Sequence, residues 1–209
     1  MANNSNAVGK RSQEESLRTQ VRILDKAEHL FSRLGFGGVS MREIARATGV
    51  HHHTIQHHYG SKEELYEMVL NRWDEQVEQL LINAIGKEQN LEEIIRVVVD
   101  QLFDFMLDKR DWVALTARAA IGADQPKRVQ LKQHSWVQFM DNTLRDHKLG
   151  ALGLDLGLLM ITVEGILNSH ILAEKHYRDL YGKNLDNMEL RAKTKAHLQK
   201  VLSALVRQT

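Results

Sequence analysis

Apolar residues in the first third of the chain recur at helical spacing. Ile23, Ala27, Leu30, Phe31 and Leu34 fall on one stripe, the rhythm of a helix with a single buried face. Ser12 and Glu15 have capping-box spacing, so this pattern predicts a helix from near Gln13 to Leu34, closed by Gly35. Two shorter patterns follow. Ser40 with Glu43 opens the first, and Ile44 and Ala45 give it an apolar side. Gly49 stops it, because glycine accepts the left-handed backbone of a sharp turn, and Val50 is placed to enter the core. The second starts near His51, with Ile55 and Tyr59 one turn apart facing inward. Ser61 with Glu64 opens a further helix, in which Leu65, Met68, Val69 and Trp73 carry the pattern on to about Ala84.

From Asn90 the pattern changes to longer amphipathic or wholly apolar stretches, predicting helices at about 91–108, 111–121, 125–147, 151–176 and 186–206. Long stretches of helix-forming residues argue for helices throughout, and one proline with 13 glycines is little turn chemistry for a sheet-rich fold. The fold class is all-α: an N-terminal three-helix unit followed by a larger helical bundle. The expected organisation is a flexible basic arm at 1–12, a helix-turn-helix domain at 13–70 and a second domain at 71–209.

Charge sharpens this division. Residues 1–62 hold nine Lys or Arg against five acids, a balance of +4 that leaves −3 for the rest of a chain of net +1. A basic N-terminal third is the footprint of a phosphate-binding face. Six of the 11 histidines lie there too. There is no cysteine, which excludes disulfides, thiolate metal sites and a cysteine nucleophile. Residues 1–22 lack an apolar stretch of the kind a secretory signal needs, and Leu156 to Leu172 is short for a membrane span and contains Glu164, Asn168 and His170. A cytoplasmic protein without a membrane partner is expected.

The chemistry concentrates on the helix after Val50. Apart from Ile55 and Tyr59, it carries His52, His53, Thr54, Gln56, His57 and His58, rich in donors and free of carboxylates. Solvated helices ordinarily mix both signs. Lys62 stands in the first turn of the following helix, where the helix dipole disfavours a cation and a phosphate partner would favour it.

Residues 22–70 resemble the DNA-binding domain of the TetR family of bacterial transcriptional regulators. The resemblance rests on RILDKAEHLFSRLGFGGVS, on MREIARATGVHHHTIQHHYGSKEEL and on the distance between them. It implies that the first helix buttresses the pair and that the helix after Val50 enters the major groove. Thr54, Gln56, His57, His58 and Lys62 are the matching DNA-contacting positions, with His52 and His53 on the same helix. Ser40 and Arg42, at the start of the supporting helix, are placed to touch the backbone. Two positions depart from the family's usual pattern: His51 stands where a small hydroxyl cap is common, and Gln56 where an aromatic residue is common.

The resemblance also implies a ligand-sensing, dimerising second domain acting on a double-stranded DNA operator. Leu156 to Val163 is apolar on all sides, and Leu198, Val201, Leu202 and Leu205 share a face, so the last two long helices are the expected homodimer interface. The candidate lining for a small-molecule effector is Phe103, Met106, Trp112, Arg118, Trp136, Met140, Met160, Glu164 and Asn168. Glu164, set among apolar residues, requires a partner such as Arg118 or His170 if it is buried. No cofactor is expected. The rival class is a metal-dependent enzyme using the histidine run, since His53 and His57 have a ligand spacing of i, i+4. That reading lacks an HExxH sequence, an acid among the histidines and a sheltered site. An adaptor that binds only protein would leave the carboxylate-free face unexplained.

Overall fold

The computed structural model describes residues 3–85, 91–122 and 156–207. Its described residues are helices joined by turns, with no strand among them: α1 (Asn3–Leu34), α2 (Met41–Thr48), α3 (His52–Tyr59), α4 (Lys62–Leu70), α5 (Asp74–Ile85), α6 (Leu91–Asp108), α7 (Arg110–Ala120), α8 (Leu156–Leu172), α9 (Glu174–Tyr181) and α10 (Met188–Arg207). They fall into two compact units. One holds the described residues up to Asn71 and those from Leu115 to 122; the other holds Arg72–Ala114 and 156–207. The division differs from the expected single boundary at 70, because the later turns of α7 belong with the first unit.

In the first unit the core is built where the apolar stripes meet. Ile23, Ala27 and Phe31 of α1 lie with Ile44 of α2, Ile55 and Tyr59 of α3, and Leu65, Tyr66 and Val69 of α4, and all of them are buried. Leu115 and Ala119 of α7 join this cluster. Phe31, Phe36 and Tyr66 form an aromatic group, with Tyr66 edge-on to both phenylalanines at 5.0 and 5.1 Å, the geometry the ring quadrupole favours. Leu34, expected on the buried stripe, is 52% exposed. It is the last residue of α1, and the chain turns away at Gly35, whose φ of 74° the left-handed region allows.

Three helix boundaries depart from the sequence pattern. The first helix begins at Asn3, where a flexible arm was expected. The run through residues 10–16 offers good helix formers, and Gly9 costs only about 1 kcal/mol in a helix. The helix expected to run unbroken through Trp73 stops at Leu70 and restarts at Asp74, with Asn71 as its cap. Asn competes for backbone hydrogen bonds and favours helix ends. The apolar helix expected to reach residue 176 breaks at Ala173 between α8 and α9. The helix expected at 125–147 lies outside the described residues.

In the second unit, α10 packs on α6. Leu198 and Leu202 are buried with Val99, Phe103, Leu107 and Leu167, so this face of the last helix fills its own core rather than standing free for a partner. Beside it, Lys195 bridges Asp100 and Asp104 of α6 at 2.5 and 2.8 Å. These two carboxylates raise the affinity of the Lys195 amine for its proton, against the opposing effect of burial, which is the largest single influence.

Candidate nucleic-acid interface

The site is built on the turn at Gly49. Its φ of 68° and ψ of 21° put it in the left-handed region, and its amide donates to the Ala45 carbonyl, ending α2. Thr48 is buried and donates its hydroxyl to the Ile44 carbonyl at 2.8 Å, drawing the last turn of α2 closed. Val50 packs partly buried against the core, and α3 begins two residues later.

Both flanking helices have the capping boxes that the sequence predicts. The Ser40 amide donates to the Glu43 carboxylate at 2.7 Å, and the Glu43 amide donates back to the Ser40 hydroxyl at 3.2 Å. Ser61 and Glu64 repeat the arrangement at 2.6 and 3.1 Å. The Glu43 carboxyl is held below the ordinary carboxylate range by the Ser40 hydroxyl first and its amide second, that of Glu64 by the Ser61 amide and then its hydroxyl. The helix between them has no such device: His51 occupies the cap of α3 without a side-chain hydrogen bond.

What holds α3 is burial and one residue of α1. Ile55 is fully buried and Tyr59 nearly so. The Tyr59 hydroxyl donates to the Gln20 carbonyl at 2.8 Å, and the Gln20 side-chain amide meets His58 Nδ1 at 3.2 Å. Gln20 is therefore a positioning residue that the sequence does not reveal, since the contacts span 38 and 39 positions.

With Ile55 inward and about 100° per residue, the opposite side of α3 belongs to His53 and His57. Both are exposed, and so is Gln56. His52, Thr54 and His58 sit on the flanks and are half-buried, so only part of the carboxylate-free set faces fully outward. An eight-residue helix packed on one side has shoulders as well as a free face. His57 and His58 meet edge to face at 5.3 Å.

Ser40 and Arg42 are exposed at the start of α2, although the Ser40 hydroxyl is engaged with Glu43, donating to it at 2.7 Å. Lys62 opens α4 with its ammonium 3.9 Å from the centre of the Phe36 ring. A cation over an aromatic face is stabilised by about 0.5–1 kcal/mol at an exposed site. The chain itself thus offsets part of the cost of a cation at that helix start. Phe36 as its platform is a second residue that local pattern does not show.

The described residues of the expected effector lining fall in both units. Phe103 and Met106 are buried in the core of the second unit, and Trp112 packs against the same cluster, edge-on to Phe105. Arg118 is half-buried among the residues of the first unit. Glu164 and Asn168 are half-buried on α8, so Glu164 retains part of its contact with water. His170, named as a partner for it, instead places Nδ1 2.5 Å from the Tyr177 hydroxyl. Met160 lies in α8, and Trp136 and Met140 fall outside the described residues.

Among the described residues no group of three or more His, Cys, Asp or Glu side chains could hold a metal ion. Nor, among them, is any helix long and apolar enough to cross a membrane.

Two short helices joined at a left-handed glycine, the second with a carboxylate-free outer face, define a helix-turn-helix protein. Residues 23–69 match the family model of the bacterial regulatory proteins of the tetR family. The HTH-type transcriptional regulator UidR of Escherichia coli (strain K12) is 36% identical over 58 residues, 28% of this chain and 30% of UidR. The match thus spans under a third of that relative's length. Among solved structures, a TetR family transcription regulator from Marinobacter aquaeolei VT8 superposes with a TM-score of 0.68 at 19% identity, covering 92% of this chain and 95% of the other. The regulator FadR from Bacillus subtilis, in complex with stearoyl-CoA, gives 0.65 at 16% identity over 88% and 97%. At such identities the likeness is one of fold.

Proposed function

We propose that this protein is a transcriptional regulator, a repressor that binds a pseudo-palindromic double-stranded operator as a homodimer and leaves it when a small effector binds the second unit. One observation carries the reading: α3 presents His53, Gln56 and His57 outward, without an acid, from a helix anchored through Ile55 and Tyr59. A polyanion rewards that composition, and the major groove admits a single helix. Two reading heads about one helical turn apart require a dimer. Leu158 and Ile161 of α8 support it, being 63% and 68% exposed in the single chain, an apolar surface that a second copy would remove from water. Gln56 is the residue assigned to base readout, and Lys62 and Arg42 to the backbone. The protein acts by binding rather than by catalysis.

Gel-shift titration against DNA flanking its own gene, repeated at several salt concentrations, tests this. The expected result is a salt-sensitive complex with two chains per site. Absence of salt-dependent affinity for any duplex would overturn the assignment.

A further inference from the structure

At the junction of α8, α9 and α10 a half-open cleft of about 320 Å³ has none of the expected effector residues among the described residues that line it. That volume is at the lower end of the range for small-molecule sites, roughly 300–1,000 Å³. Its walls are largely apolar, with Tyr177, Leu180, Tyr181 and Leu190 among them. Into it come His170 from α8, His176 from α9, and Lys193 and His197 from α10, while no carboxylate is among the described residues that line it.

Glu174 of α9 binds Arg178 at 2.6 Å and accepts from Asn184, and Asp100 and Asp104 of α6 hold Lys195. Lys193 reaches over the Tyr181 ring at 5.4 Å, and the Tyr177 hydroxyl holds the His170 ring by Nδ1. We propose that this cleft binds a small aromatic monocarboxylate, its ring against the tyrosine and leucine walls and its carboxylate toward Lys193 and the His170–His197 pair.

The electrostatics fit that occupant. Burial, and secondly the neighbouring His197, hold the His170 imidazole below its ordinary value. Like charges that repel in the empty cleft are stabilised together by an anion between them. Binding should therefore take up a proton, and affinity should rise as pH falls, by at most about tenfold per pH unit for one proton. Tyr177 does not contribute to this, since burial, despite a hydrogen bond from Thr194, pushes its hydroxyl above the ordinary tyrosine range.

The test is calorimetric titration of the full chain with sodium benzoate at constant ionic strength from about pH 8 to about pH 6, where benzoate, as a carboxylate, stays ionised. Benzyl alcohol serves as the neutral ring. Saturable binding of one benzoate per chain is expected, tighter at pH 6 and at least about tenfold tighter than benzyl alcohol, as loss of a charge-assisted contact implies. Lys193→Gln and His197→Gln should each weaken benzoate about fivefold or more. Lys175→Gln, an exposed change outside the lining, should leave it unaltered. Lys193 and His197 are also exposed, so both variants are expected to fold, and far-UV circular dichroism checks that. No saturable binding, equal affinity for benzyl alcohol, or indifference to both Lys193 and His197 would overturn the proposal.

Discussion

Gly49 and Gly60 bracket α3 with nearly the same φ, 68° at each, yet they should respond differently to an added methyl group. At Gly49 the ψ of 21° lies in the left-handed helical well, and a Cβ built there meets nothing within 4 Å. Alanine then costs about 1–2 kcal/mol of backbone strain, offset by about 0.4–1 kcal/mol from a less flexible unfolded chain. At Gly60 the ψ of −123° falls outside that well, where strain of about 1–3 kcal/mol is ordinary. A Cβ there also lies 2.2 Å from Glu64 Oε2 and 3.0 Å from its Cδ. That carboxylate can swing aside only by releasing the Ser61 amide it holds at 2.6 Å, and losing a cap costs about 0.5–2 kcal/mol. Gly60→Ala should therefore destabilise the first unit by about 0.5–4.5 kcal/mol net, centred at about 2.5, against about 1 kcal/mol for Gly49→Ala. Hydrogen exchange of the buried amides of α1 and α4 under native conditions reads the difference. A double-mutant cycle isolates the clash: with Glu64→Ala already present, Gly60→Ala should lose about 1 kcal/mol of its effect. Equal effects at the two glycines, or strict additivity in the cycle, would refute the reasoning.

Four other outcomes are expected. Lys62→Ala should weaken DNA binding about equally on all sequences and flatten the salt slope by about one unit, and should lower stability by about 0.5–1 kcal/mol as the contact with Phe36 is lost; fluorescence anisotropy on specific and random duplexes checks the first, urea unfolding the second. Gln56→Ala should cost roughly 1–3 kcal/mol on the operator and relax preference at one position of each half-site, whereas equal losses on random DNA would make Gln56 a backbone contact. His170, held below its ordinary value of 6.5 by burial and then by His197, binds fewer protons folded than unfolded, so its contribution to stability is full above about pH 6.5 and is lost as pH falls through the lower folded value; urea midpoints between pH 7.5 and 5 should fall less in His170→Gln. Lys195→Ala should destabilise the second unit by roughly 0.5–1 kcal/mol by leaving the half-exposed Asp100 and Asp104 without their shared cation, and an unchanged urea midpoint would contradict this.

The helix-turn-helix was legible because its determinants are local. Ser40 and Glu43, Gly49, Ser61 and Glu64 act within three or four residues of one another, and the structure has both capping boxes and the left-handed turn. The helix ends at Leu70 and Ala173 were not legible. Asn71 is a weak stop, and around Ala173 no glycine, proline or cap residue marks the break, which tertiary packing decides. Gln20 and Phe36 were invisible for another reason: each matters through a partner far along the chain, His58 and Tyr59 in one case and Lys62 in the other. For the effector lining the sequence leaves two roles open. Phe103 and Met106 suit a core as well as a pocket wall, and composition alone does not separate the two roles.

The lack of a side-chain cap on α3 has a physical consequence for how its sequence is used. An eight-residue helix rich in histidine has neither the length nor the propensity to form alone. Its order is therefore borrowed from Ile55, Tyr59 and the Gln20 contacts, and its ends are set by Gly49 and Gly60. None of these residues lies on the exposed side of α3 occupied by His53, Gln56 and His57. Substituting that outer side should leave the fold nearly unchanged, since exposed positions away from such features usually shift stability by less than about 0.5 kcal/mol. The residues that would read DNA are thus free to vary without loss of the scaffold that presents them.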